Sequence, residues 1–328
     1  MKVLGRTTNL HRTTALLTFT IVILSKTTLV KSYSSSSKSF QMSPFNVLRT
    51  GTTITVAPKV ETQQSGLLVI SHGLGDSAEG FADVAQMIAT KMPHLKIVLP
   101  TAPTQPVTMN MGMPMPSWYD ITGLDERSNE NCKGISDSQQ TLQNILSTEH
   151  EEKKLPYNRM VLMGFSQGGA LSLFTGMQLP KEQKLGGIVI MSGYLPAKAQ
   201  FTITEGLADT PILHCHGEAD PMVQVGMAKR SKEVVGDEMG AENYELKTYP
   251  GLVHSVNMDE IQDVQNFLQK ILPDDDSCKV TLKDPSEMSV KELRAAIRNA
   301  GIGAKAVGFM EKAEFVKLVQ DYRDGKLL

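Results

Sequence analysis

Arg159-Met160-Val161-Leu162-Met163-Gly164-Phe165-Ser166-Gln167-Gly168-Gly169-Ala170-Leu171-Ser172-Leu173-Phe174 is the stretch that decides the fold. Its first five residues form an apolar run of strand length, and its last six open an apolar helix. A strand that turns abruptly into a helix forces unusual backbone angles on the residue at the tip. The positions on either side must then be small, which accounts for Gly164 and Gly168. Such a bend lifts the Ser166 hydroxyl out of a sheet and aims the next backbone N–H, that of Gln167, at an incoming carbonyl oxygen.

The surrounding chain repeats the alternation. Leu67–Ser71, Lys96–Pro100, Gly187–Met191 and Pro211–Cys215 read as short apolar strands, and Tyr244–Tyr249 as a half-exposed one. Phe81–Met92, Ile135 to about His150, and Met258–Ile271 read as helices between or after them. Strands apolar on both faces and separated by helices predict an α/β fold, with a mostly parallel central sheet covered by helices on both faces. In such sheets chemistry collects at the carboxyl ends of the strands.

A serine hydroxyl needs a general base and a group to orient that base. In an elbow fold the acid and then the histidine follow the serine, each on a loop after a later strand. His216-Gly217-Glu218-Ala219-Asp220-Pro221 follows one strand and Pro250-Gly251-Leu252-Val253-His254-Ser255 follows the next. His254 is the candidate base. Asp220 is the better fixed of the two acids, a short side chain beside Pro221, with Glu218 the competitor. Ser71-His72-Gly73-Leu74-Gly75-Asp76 offers the second oxyanion donor, best supplied by the N–H of Leu74. A phosphate cradle is the other use of such a loop, but neither GxGxxG nor GxxxxGK[ST] is present.

Two further features invite functional readings. His214 and His216 share one face of a strand and could ligate a metal, yet no third ligand stands at a recognised spacing. Met109, Met111, Met113 and Met115 alternate along an extended, proline-containing segment that ends at Trp118. Core packing is one reading; the favoured one is a greasy ribbon in which Met109, Met111, Met113 and Trp118 meet an acyl chain or a membrane surface. No metal and no cofactor is expected.

The chain of 328 residues is 41% hydrophobic with a formal net charge of −2, which argues against a dedicated nucleic-acid binder. Three cysteines are too few and too scattered for a disulfide framework. The first sixty residues carry eight Lys/Arg and no Asp/Glu. Lys2, Arg6 and Arg12 precede the apolar run Ala15–Leu24, and Ser32–Ser39 is Ser-rich. Residues 1–55 therefore read as a targeting presequence or disordered leader, for the secretory route or an organelle such as a plastid or mitochondrion. Residues 56–273 read as the catalytic domain, 274–284 as a linker and 285–328 as a helical hairpin. The capping box Ser289-Val290-Lys291-Glu292 opens its first helix, and Phe315, Leu318, Val319 and Tyr322 line its second.

The segments His72-Gly73-Leu74-Gly75-Asp76, Met115–Asp120, Gly164–Gly169, Cys215-His216-Gly217, Asp220-Pro221 and Leu252–Ser255 together resemble the acyl-protein thioesterase/lysophospholipase family of small α/β-hydrolases. The likeness runs from about residue 57 to 273. It implies an α/β-hydrolase fold, a triad of Ser166, Asp220 and His254, and oxyanion donors at Leu74 and Gln167. It also implies hydrolysis of long-chain acyl thioesters on protein cysteines, or of acyl esters in lysophospholipids, with the methionine segment handling lipid and transient membrane contact. Such proteins usually lack a presequence. The C-terminal unit resembles a SAP-type hairpin, a module that binds nucleic acid or protein. Residues 279–328 hold ten Lys/Arg against seven Asp/Glu and no interleaved aromatics, so a protein partner or docking on the chain itself is expected rather than nucleic acid. A serine peptidase on the same fold, and an inactive scaffold working through the hairpin, are the alternative readings.

Overall fold

The computed structural model describes residues 44–123 and 131–327. Eight strands form one sheet, in the spatial order 45–50, 53–58, 95–99, 66–71, 160–165, 187–191, 212–217 and 244–249. β1 (Phe45–Thr50) and β2 (Thr53–Pro58) are an antiparallel hairpin, and β2 runs antiparallel to β4 (Leu95–Leu99). From β4 onward all neighbours are parallel: β3 (Gly66–Ser71), β7 (Met160–Phe165), β8 (Gly187–Met191), β9 (Ile212–Gly217) and β10 (Tyr244–Tyr249). A separate two-stranded ribbon pairs β5 (Thr104–Val107) with β6 (Met113–Pro116). The fold is that of an α/β-hydrolase.

The sheet is apolar on both faces because alternate side chains feed two cores. Leu67, Val69, Leu162 and Ile188 point to the side covered by α2 (Ile135–Lys153) and α3 (Gln167–Gly176). Leu68, Ile70, Val161 and Val189 point to the other, under α1 (Ala82–Lys91) and α5 (Met258–Ile271). α4 (Val225–Lys232) runs on through a π-helical turn, Glu233–Glu238, before β10. The predicted strands and helices appear where expected, within a few residues at their ends.

One boundary is corrected. β1 and the start of β2 fall inside the stretch 1–55 assigned to a leader, but they are part of the sheet. Gly51, at φ +58, turns the hairpin, and Phe45 and Val47 pack on the second core. The expected targeting segment, including Ala15–Leu24 and Ser32–Ser39, lies outside the described residues.

The expected linker 274–284 lies against the α/β core. Ser65 Oγ donates to Asp274 at 2.8 Å, Val280 N–H donates to Gln64 O at 2.8 Å, and Thr281 N–H to Lys153 O at 3.1 Å. Val280 is buried in the first core. Beyond it α6 (Val290–Asn299) and α7 (Lys312–Arg323) close a small core of their own around Leu293, Ile297, Phe315 and Leu318. Arg323 Nη1 donates to Lys283 O at 2.7 Å, and its Nε stands 3.8 Å from Glu61.

Candidate active site

Ser166 stands between β7 and α3 with φ +53 and ψ −117, a region that only glycine enters readily. Holding a side-chain-bearing residue there costs about 1–3 kcal/mol, so the surroundings must impose it. They do. Ser166 N–H donates to Met191 O at 2.8 Å, and its carbonyl accepts from Ala170 N–H at 3.0 Å. A Cβ at Gly164 would overlap the backbone of Gly168, and one at Gly168 would overlap Ser71 O. The two glycines are set by this close passage of strand, turn and helix.

The loops after β9 and β10 bring an acid and a base together. His254 Nδ1–H donates to Asp220 Oδ2 at 2.7 Å. The other carboxylate oxygen, Oδ1, accepts from the N–H groups of Met222 at 2.8 Å and Val223 at 2.9 Å. Asp220 is buried, and three further contacts fix its position. Ala219 N–H donates to Leu252 O at 3.0 Å, Glu218 N–H donates to Tyr249 O at 3.0 Å, and a Cβ at Gly217 would overlap Leu252 O. Glu218 instead turns outward and accepts from Thr248 Oγ1 at 2.8 Å. The geometry thus separates the two acids. The Phe165 ring, one residue before Ser166, is 4.8 Å from the His254 imidazole, so that imidazole ring lies beside the elbow.

The glycine loop after β3 lies against the same elbow: a Cβ at Gly73 would stand 3.5 Å from that of Ser166. Gly75, at φ +78, donates its N–H to Pro116 O at 2.8 Å. Gln167 N–H is among the first of α3, which have no acceptor within the helix. Leu74 packs its side chain on the first core.

What fastens this loop was not evident from sequence. Ala102 N–H donates to His72 Nε2 at 2.9 Å, which puts the ring proton on Nδ1, where it donates to Gly73 O at 2.7 Å. Burial lowers the pKa of His72 and favours this neutral form. The Gln167 side chain accepts from Trp118 N–H at 2.9 Å and donates to Tyr119 O at 2.7 Å. Trp118 Nε1–H in turn donates to His72 O at 2.8 Å. The only sequence signal for this network was the placing of polar residues within apolar runs.

Trp118 therefore corrects an expectation. It is 1% exposed and packs in the first core, so it offers no surface to a lipid. The methionine segment is also not one straight ribbon. A 3-10 turn, Thr108–Asn110, and Met111 at φ +58 fold it into the β5–β6 hairpin. Met109 turns in against the first core, while Met111 and Met113 are 81% and 52% exposed. Only the latter two present an apolar surface.

His214 and His216 are committed to hydrogen bonds. His216 Nε2–H donates to Val223 O at 2.7 Å, and Tyr244 OH stands 2.8 Å from His214 Nδ1. Burial lowers both pKa values and pushes the Cys215 thiol up to about 12. Among the described residues no group of three or more His, Cys, Asp or Glu side chains could hold a metal ion.

Comparison with known proteins agrees with this fold. The phospholipase/carboxylesterase family profile matches residues 52–272. Acyl-protein thioesterase 1 of Mycosarcoma maydis is 37% identical over 235 residues, covering 67% of this chain and 97% of the relative. Acyl-protein thioesterase 1 homolog 1 of Dictyostelium discoideum is 38% identical over 213 residues, covering 65% and 93%. Among solved structures, Arabidopsis thaliana SOBER1 superposes with a TM-score of 0.55 at 30% identity, covering 63% of this chain and 99% of its own. Zea mays acyl-protein thioesterase 2 superposes with a TM-score of 0.57 at 27% identity, covering 68% and 100%.

Proposed function

We propose, from the premise that this chain belongs to the phospholipase/carboxylesterase family and is a carboxylic ester or thioester hydrolase, that it cleaves long-chain acyl thioesters on protein cysteines through Ser166, His254 and Asp220. The observation that carries the residue assignment is the 2.7 Å bond between His254 Nδ1 and Asp220 Oδ2, beside a serine held at φ +53. With its Nδ1–H donated in a hydrogen bond to the Asp220 carboxylate, His254 presents Nε2 as a base.

The reaction follows from these positions. Ser166 Oγ attacks the thioester carbonyl carbon as its proton passes to His254 Nε2, and Asp220 stabilises the imidazolium. The oxygen that gains charge is met by the N–H groups of Leu74 and Gln167, each worth roughly 3 kcal/mol. The C–S bond then breaks, and the leaving thiolate takes the proton from His254. Water, deprotonated by the same imidazole, attacks the acyl-serine and releases the fatty acid. The Gln167 side chain, Trp118 and His72 keep the donor loop in register. Exposed Met111 and Met113 on the β5–β6 hairpin are suited to contact the acyl chain.

The substrate class is supported by the likeness to acyl-protein thioesterase 1 of Mycosarcoma maydis and its homolog in Dictyostelium discoideum. A fluorophosphonate probe should label the protein but not its Ser166→Ala variant; labelling that survives this change sinks the assignment. Turnover of an S-palmitoyl peptide against a 1-palmitoyl lysophospholipid then decides between thioester and lysolipid. Faster hydrolysis of the lysolipid would overturn the thioester reading.

A further inference from the structure

The α6–α7 hairpin engages most of its acids internally, the exposed Glu287 excepted, and leaves a set of cations facing out. Glu292 pairs with Lys283 at 3.0 Å, and Asp324 pairs with Lys326 at 2.7 Å. Glu314 accepts the N–H groups of Met310 and Glu311, both at 2.8 Å. Lys291, Arg294 and Arg298 of α6 and Lys305 of the following loop are exposed, and no carboxylate among the described residues pairs with them. The three on α6 are spaced i, i+3, i+7 and so form one stripe.

That stripe leads to an apolar tip. The Arg294 guanidinium lies 5.3 Å over the Phe315 ring, and Phe315 meets Phe309 edge-on at 5.3 Å. The next residue is Met310, 91% exposed, and Val307 just before is 82% exposed. These are the most exposed large hydrophobic side chains among the described residues. The tip is ordered, since Glu314 holds the Met310 N–H and Phe309 packs beneath. Two aliphatic side chains are thus raised into water beside unpaired positive charge.

We infer that the α6–α7 tip is a peripheral docking surface for an anionic lipid bilayer, with Val307 and Met310 entering the acyl boundary and the α6 stripe meeting negative headgroups. A nucleic acid or an acidic peptide would satisfy the cations and leave the aliphatic pair in water; a charged bilayer satisfies both. No described helix is long and apolar enough to cross a membrane, so the contact made here is interfacial. None of these residues belongs to the candidate active site, and the inference does not rest on the substrate assigned above.

Met310→Trp reports the contact directly, because the chain's one natural tryptophan, Trp118, is buried. The full chain carrying this change is mixed with phosphatidylcholine vesicles, or with vesicles about a third phosphatidylserine, each with or without brominated acyl chains. Bromine should quench the new indole only in the anionic vesicles, and Val307→Trp should behave alike. Combining Lys291→Glu, Arg298→Glu and Lys305→Glu should raise the lipid needed on the order of a hundredfold. Hydrolysis of a short soluble ester should be unchanged. Absence of quenching at both positions, equal quenching in neutral vesicles, or indifference to charge reversal overturns the inference. So does tight binding of a DNA duplex or polyglutamate without insertion into vesicles.

Discussion

Helix α5 of the α/β core and helix α6 of the hairpin begin alike. Each has a side-chain N-cap, Asn257 or Ser289, that accepts the N–H of a glutamate three residues on. In α6, Glu292 reaches back to Ser289 N–H at 2.6 Å. This bond, with help from Lys283, holds its carboxyl down at about 2. In α5, Glu260 is fully buried, and neither of its oxygens finds a hydrogen-bond partner among the described residues. Burial pushes its carboxyl up to about 8, offset only in part by a poorly placed Asn257 N–H. One short motif therefore produces opposite chemistry. The cap fixes where a helix starts, and the layer packed on top fixes whether its glutamate carries charge.

The sharpest way to break this contrast is to add the same methyl group in both regions. Gly168→Ala drives a carbon into Ser71 O, so urea unfolding should show a loss above about 4 kcal/mol, or no folded protein. Gly303→Ala in the hairpin meets nothing within 4 Å and should change stability by less than about 1 kcal/mol. Next in size is Glu260→Gln. Because the folded pKa of Glu260 is raised, the wild type loses stability as pH climbs from about 4.5 to about 8. The variant should flatten that slope and gain on the order of a few kcal/mol at about pH 8, measured by thermal or urea melts across pH.

Trp118→Phe leaves the buried carbonyl of His72 without its indole donor. Stability should fall by about 1–3 kcal/mol, and kcat should drop more than KM rises as the donor loop loosens. Smallest of all is Glu292→Gln. Its pKa is lowered in the folded state, so its stabilisation is present above the usual carboxylate range and is lost as pH falls toward about 2. The variant should weaken that acid limb, read as amide protection of the first turn of α6, and leave hydrolysis unchanged.

The parallel sheet was legible because its central strands are apolar on both faces and most of its crossovers are helical, although Tyr244–Tyr249 is half-exposed and only a 3-10 turn, Lys198–Gln200, lies between β8 and β9. The elbow was legible because Gly164 and Gly168 are forced by local contacts. β1 was hidden by its setting: Phe45 and Val47 alternate as a strand should, but they sit in a basic, acid-free stretch that resembles a leader. A hairpin signal existed in Gly51 between Thr50 and Thr53. The burial of Trp118 was not legible, since its partner, the His72 carbonyl, is 46 residues away. The same holds for Glu260. It lies on the buried side of α5 with Ile261, Val264 and Leu268, and nothing in the neighbouring sequence says what would meet its carboxylate.

The segment that joins the hairpin to the sheet has a mechanical consequence. Through Val280 and Thr281 it is riveted to Gln64 and Lys153, so a protease nick anywhere between Lys283 and Ser289 would cut the cord without removing the knot. Pulling the small helical unit outward would load those two backbone bonds before it reached the sheet. Force or strain felt at the far end of the chain is thereby delivered to the start of β3, the strand that leads directly into the glycine loop.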